Sequence, residues 1–477
     1  MSQASAENHA IKGSWLDARM LHLVLILGLA VALRCWRLNH WSLWYDEVVT
    51  ARLAQAAGPA AMIELLGRID ATRAPLFPLL LMGWCKGFGD SDLAARSLSA
   101  WLGVLTVVAV YGLGRSALDE RTGRWAAWLC ALCPPLVYYS QEVRMYALLV
   151  PLTVGSWWTF LAFRHSASSG HVLGYAALLA ALIYTQPVSL FMVAAHGAAY
   201  LAVRRSLTLR PRTWLLTLGL AGLLVAPWVG RYLDHPPESI TPRYPIRYLL
   251  GVPIGYLGGN SLTLLPLACL IAAGLFTFQG KRPVLRDPVV GPALVCWFMI
   301  PPVLIYAYSL VGYPIFGPAR IHLFVAPAYL LLVARGLAIL PRRARLAAVA
   351  ALLPLMIQGL VDNTYAPGLK TDYRALARWL RSRPHDRPVA VVVHDHDPLF
   401  PYTQVEAARY YLGPNVEVVL ENGDQARPPV IRSTNAEIYH AYCFPAAGWT
   451  SPREQEPIGR FYGLAVTREL GSGPWSR

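Results

Sequence analysis

An acidic pair, Asp46 and Glu47, lies in the stretch Trp41-Ser42-Leu43-Trp44-Tyr45-Asp46-Glu47, directly after the first apolar run of the chain. A carboxylate in such a place suits general-base work, taking the proton of a hydroxyl within hydrogen-bond reach as its oxygen attacks. Successive residues of a helix sit about 100° apart, so the two acids cannot face the same way. One is expected to point into a site and the other to hold it. The helix dipole also favours a pair of acids at a helix start, so the dipeptide by itself is weak evidence.

A second polar cluster, Tyr138-Tyr139-Ser140-Gln141-Glu142-Val143-Arg144-Met145-Tyr146, is bounded by apolar runs. Polar groups at membrane depth are costly unless they serve a site; anchoring by interfacial tyrosines with a local Glu–Arg pair is the plainer account. Helical spacing puts Glu142 and Tyr146 on one face and turns Arg144 elsewhere. Arginines crowd the segments expected outside the membrane: Arg34, Arg37, Arg52, Arg68, Arg73, Arg96, Arg144, Arg231, Arg243, Arg247 and Arg320. The guanidinium fork suits phosphate, so a lipid phosphate at the outer leaflet is the natural ligand. For any single arginine, pairing with a nearby acid or a headgroup is an equal alternative.

The elements that must position these residues are set by composition. Of 477 residues, 55% are hydrophobic and only 14% charged, with a mean hydropathy of +0.40, which excludes an ordinary soluble protein. The apolar residues come in runs of about 16 to 22, the length that crosses the hydrocarbon core as a helix. Spans are expected near 20–36, 97–114, 124–139, 145–163, 171–186, 188–203, 213–230, 261–278, 288–310, 321–340 and 345–361, roughly eleven in all. The stretch 75–88 is apolar but would reach only about 21 Å, so it reads as re-entrant or interfacial. The stretch from Trp44 onward reads as an amphipathic helix lying along the membrane. The polar N-terminus and the absence of a small-residue cleavage site point to an uncleaved first span.

The net charge of +15 comes from basic residues scattered between apolar runs, a pattern of topology and not of nucleic-acid binding. Arg115, Arg121 and Arg124, Arg164, Arg204 to Arg212, Lys281 to Arg286 and Arg342 to Arg345 fall on one side, which the positive-inside rule makes cytoplasmic. Residues 1–361 then form the membrane domain, and 362–477 an extracytoplasmic domain. That tail reads as α/β: helix at 372–383, strand at 388–393, helix at 405–412, strand at 416–420, with no assignment past Gly423. His394-Asp395-His396-Asp397 follows the first strand; it has two of the ligands a metal would need and lacks a third, so a polar loop overhanging the membrane site is preferred. The seven cysteines, with Cys130 and Cys133 inside an apolar run, show no disulfide or metal framework.

The Leu-Trp-x-Asp-Glu loop and the Tyr-Ser-Gln-Glu-x-Arg-Met-Tyr segment, in that order, join Ala74-Pro75-Leu76, Gly89 to Arg96 and Gly317-Pro318-Ala319-Arg320. Together they resemble bacterial members of the dolichyl-phosphate-mannose protein mannosyltransferase superfamily. These are GT-C glycosyltransferases and include lipid A galacturonosyl- and aminoarabinosyltransferase relatives. The resemblance covers the membrane half well and the tail loosely. This chain has Arg73-Ala74 before the Pro-Leu, so no role passes to Ala74, and Ile321 and His322 follow Arg320.

The resemblance implies a GT-C fold, α-helical and polytopic, and transfer of a sugar from a polyprenyl-phosphate donor to an acceptor hydroxyl outside the cytoplasmic membrane, with inversion. Asp46 matches the base, supported by Glu47, with Glu142 as a second carboxylate. Arg144 and Arg320, then Arg52 and Arg73, would hold the donor phosphate; Tyr45, Gln141 and Tyr146 would contact substrate. The acceptor is a lipid, glycan or protein. No cofactor is required, although such carboxylates can hold a divalent cation. No P-loop or Rossmann glycine pattern is present. The rival reading is a transporter or flippase for an anionic lipid-linked substrate; the lack of an internal repeat and the large tail weigh against it.

Overall fold

In lipid each backbone N–H and C=O must find its partner within its own segment, so the apolar runs become helices. The computed structural model describes residues 20–70, 74–233, 243–259, 261–317, 320–362, 370–394, 403–421, 431, 436–443, 455–461 and 464–469. The first helix is α1 (Met20–Cys35). Then come α2 (Tyr45–Ala54), α3 (Pro59–Ile69), α4 (Leu76–Phe88), α5 (Asp92–Ala117), α6 (Glu120–Leu132), α7 (Pro134–Ser140), α8 (Tyr146–Ala162) and α9 (Ser169–Thr185). The second half holds α10 (Leu190–Val203), α11 (Pro211–Leu233), α12 (Tyr248–Tyr256), α13 (Leu264–Leu275), a hairpin of β1 (Phe276–Gln279) and β2 (Arg282–Leu285), α14 (Val290–Val311), α15 (Ala326–Ile339) and α16 (Arg342–Leu360).

Among the described residues, six segments are long and apolar enough to cross a bilayer: α5, Pro187–Ser206 around α10, α11, α14, Arg320–Ile339 around α15, and α16. The bent pair Tyr248–Tyr256 and Ser261–Leu275 makes a seventh. The chain is a multi-pass, mainly helical membrane protein. Helices also occupy the expected spans at 20–36, 124–139, 145–163 and 171–186, but these are shorter or, for α6 and α7, interrupted. The expected span at 261–278 ends early: α13 stops at Leu275 and the chain turns back through Gly280, whose φ of +63° suits glycine.

Close backbone approach holds α5 to α6, since a Cβ on Gly123 would sit 2.8 Å from Tyr111 O and Arg115 N. The break between α6 and α7 has a chemical cause. Pro134 and Pro135 have no N–H, so the carbonyls of Cys130 and Ala131 lose their helical donors. Arg34 of α1 supplies them, with Nη2 donating to Cys130 O and Nη1 to Ala131 O, each at 3.2 Å. This arginine, expected to face an anion outside, is instead fully buried.

At 26 residues, α5 is about 39 Å long, enough to cross the hydrocarbon core. Its Asp92 accepts hydrogen bonds from Tyr411 at 2.6 Å and Arg374 at 3.2 Å. Beyond its other end, Arg335 of α15 pairs with Asp119. The tail and the basic turn around Arg115 to Arg124 therefore sit at opposite ends of one membrane-length helix.

The tail contains α17 (Tyr373–Arg381), β3 (Val389–His394), α18 (Thr403–Leu412), β4 (Val416–Glu421), β5 (Glu437–Cys443), β6 (Gln455–Phe461) and β7 (Leu464–Glu469). The sheet order is β4-β3-β5-β7-β6, with β3 parallel to β4 and β5 and the last two strands antiparallel. Every residue of β3 is buried, as a central parallel strand requires. Of His394-Asp395-His396-Asp397 only His394 is among the described residues; it pairs with Glu421 and meets His440 at 2.9 Å.

Candidate functional site

The site grows from α2. Trp44 precedes the helix and its N–H donates to Glu47 Oε2 at 3.3 Å, so the two acids occupy the first turn, where the helix dipole favours them. This helix is enclosed by protein and not left open on one face. Glu47, Val48, Val49, Thr50, Ala51, Leu53 and Ala54 are all buried, because α4 packs against it and α18 of the tail covers it as well. Arg52 pairs with Glu406 at 2.5 Å and Gln55 donates to Tyr410 at 3.1 Å, tying it to the tail.

The two carboxylates diverge. Glu47 is wholly enclosed: Arg96 donates from Nε to Oε1 at 2.8 Å and from Nη2 to Oε2 at 2.7 Å, and the Val143 N–H donates to Oε1 at 3.0 Å. Asp46 is one fifth exposed and meets Arg320 Nη1 at 3.0 Å and Arg144 Nε at 3.9 Å, both on Oδ2. Arg144 also donates to the Asp46 carbonyl at 3.1 Å and to Thr50 Oγ1 at 3.0 Å, so its guanidinium is fixed to the first turns of α2.

Glu142 and Tyr146 do not share a helix face. Residues 141–145 form a non-helical turn between α7 and α8, and α8 begins at Tyr146. The turn lets Val143 reach Glu47 and Arg144 reach Asp46, while Glu142 goes to Lys370, whose Nζ lies 3.1 Å from its Oε1. Lys370 also lies 3.4 Å from Glu47 Oε2. Burial raises the affinity of both carboxylates for protons. At Glu47, Arg96 and Lys370 overcome it and hold the group down to about 2. At Glu142 burial prevails, Lys370 opposing it and Glu47 adding repulsion, and the group is held above the ordinary carboxylate range.

The remaining sequence candidates separate. Tyr146 is buried, with its ring edge-on to Tyr139 at 5.1 Å, and Tyr45 is partly buried at the start of α2. Gln141 caps α1, its Nε2 donating to the carbonyls of Leu33, Arg34 and Trp36 at 2.9, 3.3 and 3.0 Å. Arg52 faces Glu406 of the tail. Arg73 lies outside the described residues. Two members of the cluster have no role in the sequence reading: Arg96 appears there as one outer arginine among many and as the end of the Gly89 to Arg96 segment, and Lys370 sits in the tail with no motif around it. Among the described residues no group of three or more His, Cys, Asp or Glu is arranged to hold a metal ion.

Residues 72–230, which include Arg96 and the 141–145 turn, match the family of dolichyl-phosphate-mannose-protein mannosyltransferases. No curated protein matches the chain by sequence. The fold is similar to that of ArnT from Cupriavidus metallidurans bound to undecaprenyl phosphate, at 15% identity and TM-score 0.58, covering 95% of this chain and 99% of that one. The apo form of the same protein superposes with TM-score 0.59 at 14% identity, over 97% and 100% of the two chains. The arabinofuranosyltransferase AftD from Mycobacteria is a more distant likeness, at 12% identity and TM-score 0.50, covering 95% of this chain and 40% of that one. The matched segment thus holds Arg96, Glu142 and Arg144 of the carboxylate–arginine cluster, and the chain shares its fold from end to end with ArnT.

Proposed function

We propose that this protein moves a sugar from a polyprenyl-phosphate donor to an acceptor hydroxyl at the outer face of the cytoplasmic membrane, with inversion at the anomeric carbon. The observation that carries this reading is the convergence of Arg144 and Arg320 on Asp46, the exposed member of the acidic pair. A leaving lipid phosphate needs fixed cations, and an attacking hydroxyl needs a carboxylate beside them. The donor phosphate takes Arg320 and Arg144 as partners and frees Asp46. The acceptor oxygen then attacks the anomeric carbon and gives its proton to Asp46. The sugar–phosphate C–O bond breaks and its electron pair leaves with the lipid phosphate. The scheme requires no cofactor, because guanidinium groups carry the positive charge.

Support for this orientation comes from α5: the basic turn at one end is expected in the cytoplasm by the positive-inside rule, and the acidic site and the tail lie at the other end. Cysteine labelling of intact cells in the tail and in the 115–124 turn tests this, and labelling of the turn from outside overturns it. Asp46→Asn in proteoliposomes charged with a polyprenyl-phosphate sugar tests the chemistry. Transfer falls by about 10²–10⁴-fold with donor binding retained; unimpaired transfer refutes the base. Mass spectrometry of envelope glycans from a deletion strain identifies the sugar and the acceptor.

A further inference from the structure

Glu47 and Glu142 are both enclosed, and two anions buried side by side need more than one counter-charge. Arg96 commits Nε and Nη2 to Glu47, while Nη1 donates to the carbonyls of Leu38 and Trp41 and Nη2 also to that of Ser42. The second cation comes from outside the helical bundle. Lys370, on the tail side of the chain, reaches Glu142 at 3.1 Å and Glu47 at 3.4 Å, with its ammonium 5.6 Å from the centre of the Tyr138 ring.

The residues that follow this lysine are anchored both to the tail and to the loop before α2. Thr371 donates to Gln404 of α18 at 2.8 Å. Asp372 caps α17 through the Ala375 N–H at 3.0 Å and accepts from Ser42 of the loop before α2 at 2.8 Å. Arg374 binds Asn39, the His40 carbonyl and Asp92. Its position is thus set by the tail and by the catalytic loop together.

We propose that Lys370 is a positioning residue of the reaction centre: the tail's ammonium neutralises the Glu47–Glu142 pair and so sets the 141–145 turn, which carries Arg144 against Asp46. This rests on the reading of Asp46 as the base. Glu142 leads directly to Val143, whose N–H grips Glu47, and then to Arg144, whose guanidinium grips the first turns of α2. The titratable groups around Glu142 are Tyr138 and Tyr139 of α7, Arg144 of its own turn, Tyr146 of α8, Glu47 of α2 and Lys370, with Arg96 of α5 behind Glu47. Removing the ammonium leaves Glu142 to take a proton, and the tail becomes a covering without a share in the chemistry.

The test uses the full-length protein in detergent. At neutral pH, Lys370→Met and Lys370→Gln each bring up a protonated-carboxyl stretch in the infrared that the parent lacks, and Glu142→Gln in either background removes it. The transfer rate at saturating donor drops by about tenfold or more, as when other supporting contacts are lost, with donor KM little changed, and Lys370→Arg recovers most of it. Lys370→Gln keeps the polar contact without the charge, so both signals must appear there too. Unchanged infrared bands in both neutral variants overturn the proposal, as does an unchanged turnover. A parent protein that transfers no sugar refutes the reading of Asp46, while the infrared bands still decide whether Lys370 controls the charge of Glu142.

Discussion

Arg96 grips Glu47 through two parallel hydrogen bonds, 2.8 Å from Nε to Oε1 and 2.7 Å from Nη2 to Oε2, with neither side chain more than 2% exposed. Breaking such a pair from one side leaves a bare buried charge, at a cost of about 3–5 kcal/mol. Glu47→Gln is therefore expected to lower the melting temperature in detergent sharply. Glu47→Gln with Arg96→Met restores part of that loss, because the orphaned charge is gone. Additive losses in the double variant would show that the two side chains act independently.

Arg320 has the opposite profile. Its side chain is 42% exposed beside Asp46, so its ion pair contributes little to stability. Arg320→Ala is expected to leave the melting curve alone and to reduce kcat/KM by about 10²-fold, the scale of losing one fixed donor to a developing charge. Arg320→Lys keeps the charge but not the planar fork, and recovers only part of the rate. Steady-state kinetics with a polyprenyl-phosphate sugar separate the two.

Arg34 should matter for folding and not for turnover chemistry. Replacing it with Met strips the donors from the carbonyls of Cys130 and Ala131, and two unsatisfied buried acceptors cost about 3 kcal/mol or more. The measurement is thermal unfolding, with the donor KM of the surviving folded fraction unchanged.

The tail carries a pH dependence of its own. His440 is fully buried in β5; burial, with His394 beside it, lowers its proton affinity, Glu421 opposing, and brings it down to about 4. The unfolded chain protonates near the ordinary histidine value of about 6.5, so between those two values the unfolded state holds more protons and stability falls as pH drops. The whole effect is on the order of 3 kcal/mol. Protection factors of the β5 amides in the full-length protein, corrected for the intrinsic slowing of exchange in acid, are expected to fall between pH 7 and pH 5; unaltered protection would contradict it.

The sequence made the acidic pair visible because both halves lie in one short loop, and helical geometry alone says the two acids must part. What each acid turns toward was not visible. Arg96 is 49 residues from Glu47, and Lys370 is 323 residues away, so their meeting is a property of the packed chain. Local pattern does not show a distant partner. Arg52 reads as an outward cation until Glu406 covers it, and Gln141 reads as a substrate contact until α1 ends beneath it. The helix after Trp44 has the composition of an interfacial helix, and it is buried because α18, from a later part of the chain, closes over it. In the tail, β3 and β4 are clear from their valine runs, whereas β6 and β7 have too little alternation to stand out.

The double proline between α6 and α7 bears on how the protein is made. The acceptors of Arg34 are synthesised 96 and 97 residues after it, when α1 has long since emerged from the ribosome. An arginine on a lone helix is costly in hydrocarbon, about 2.5–3.5 kcal/mol even on insertion scales. The first helix is therefore expected to gain its full seat only when the broken helix is there to receive the guanidinium. The order of synthesis is then expected to make the docking of α1 wait on the insertion of α6 and α7.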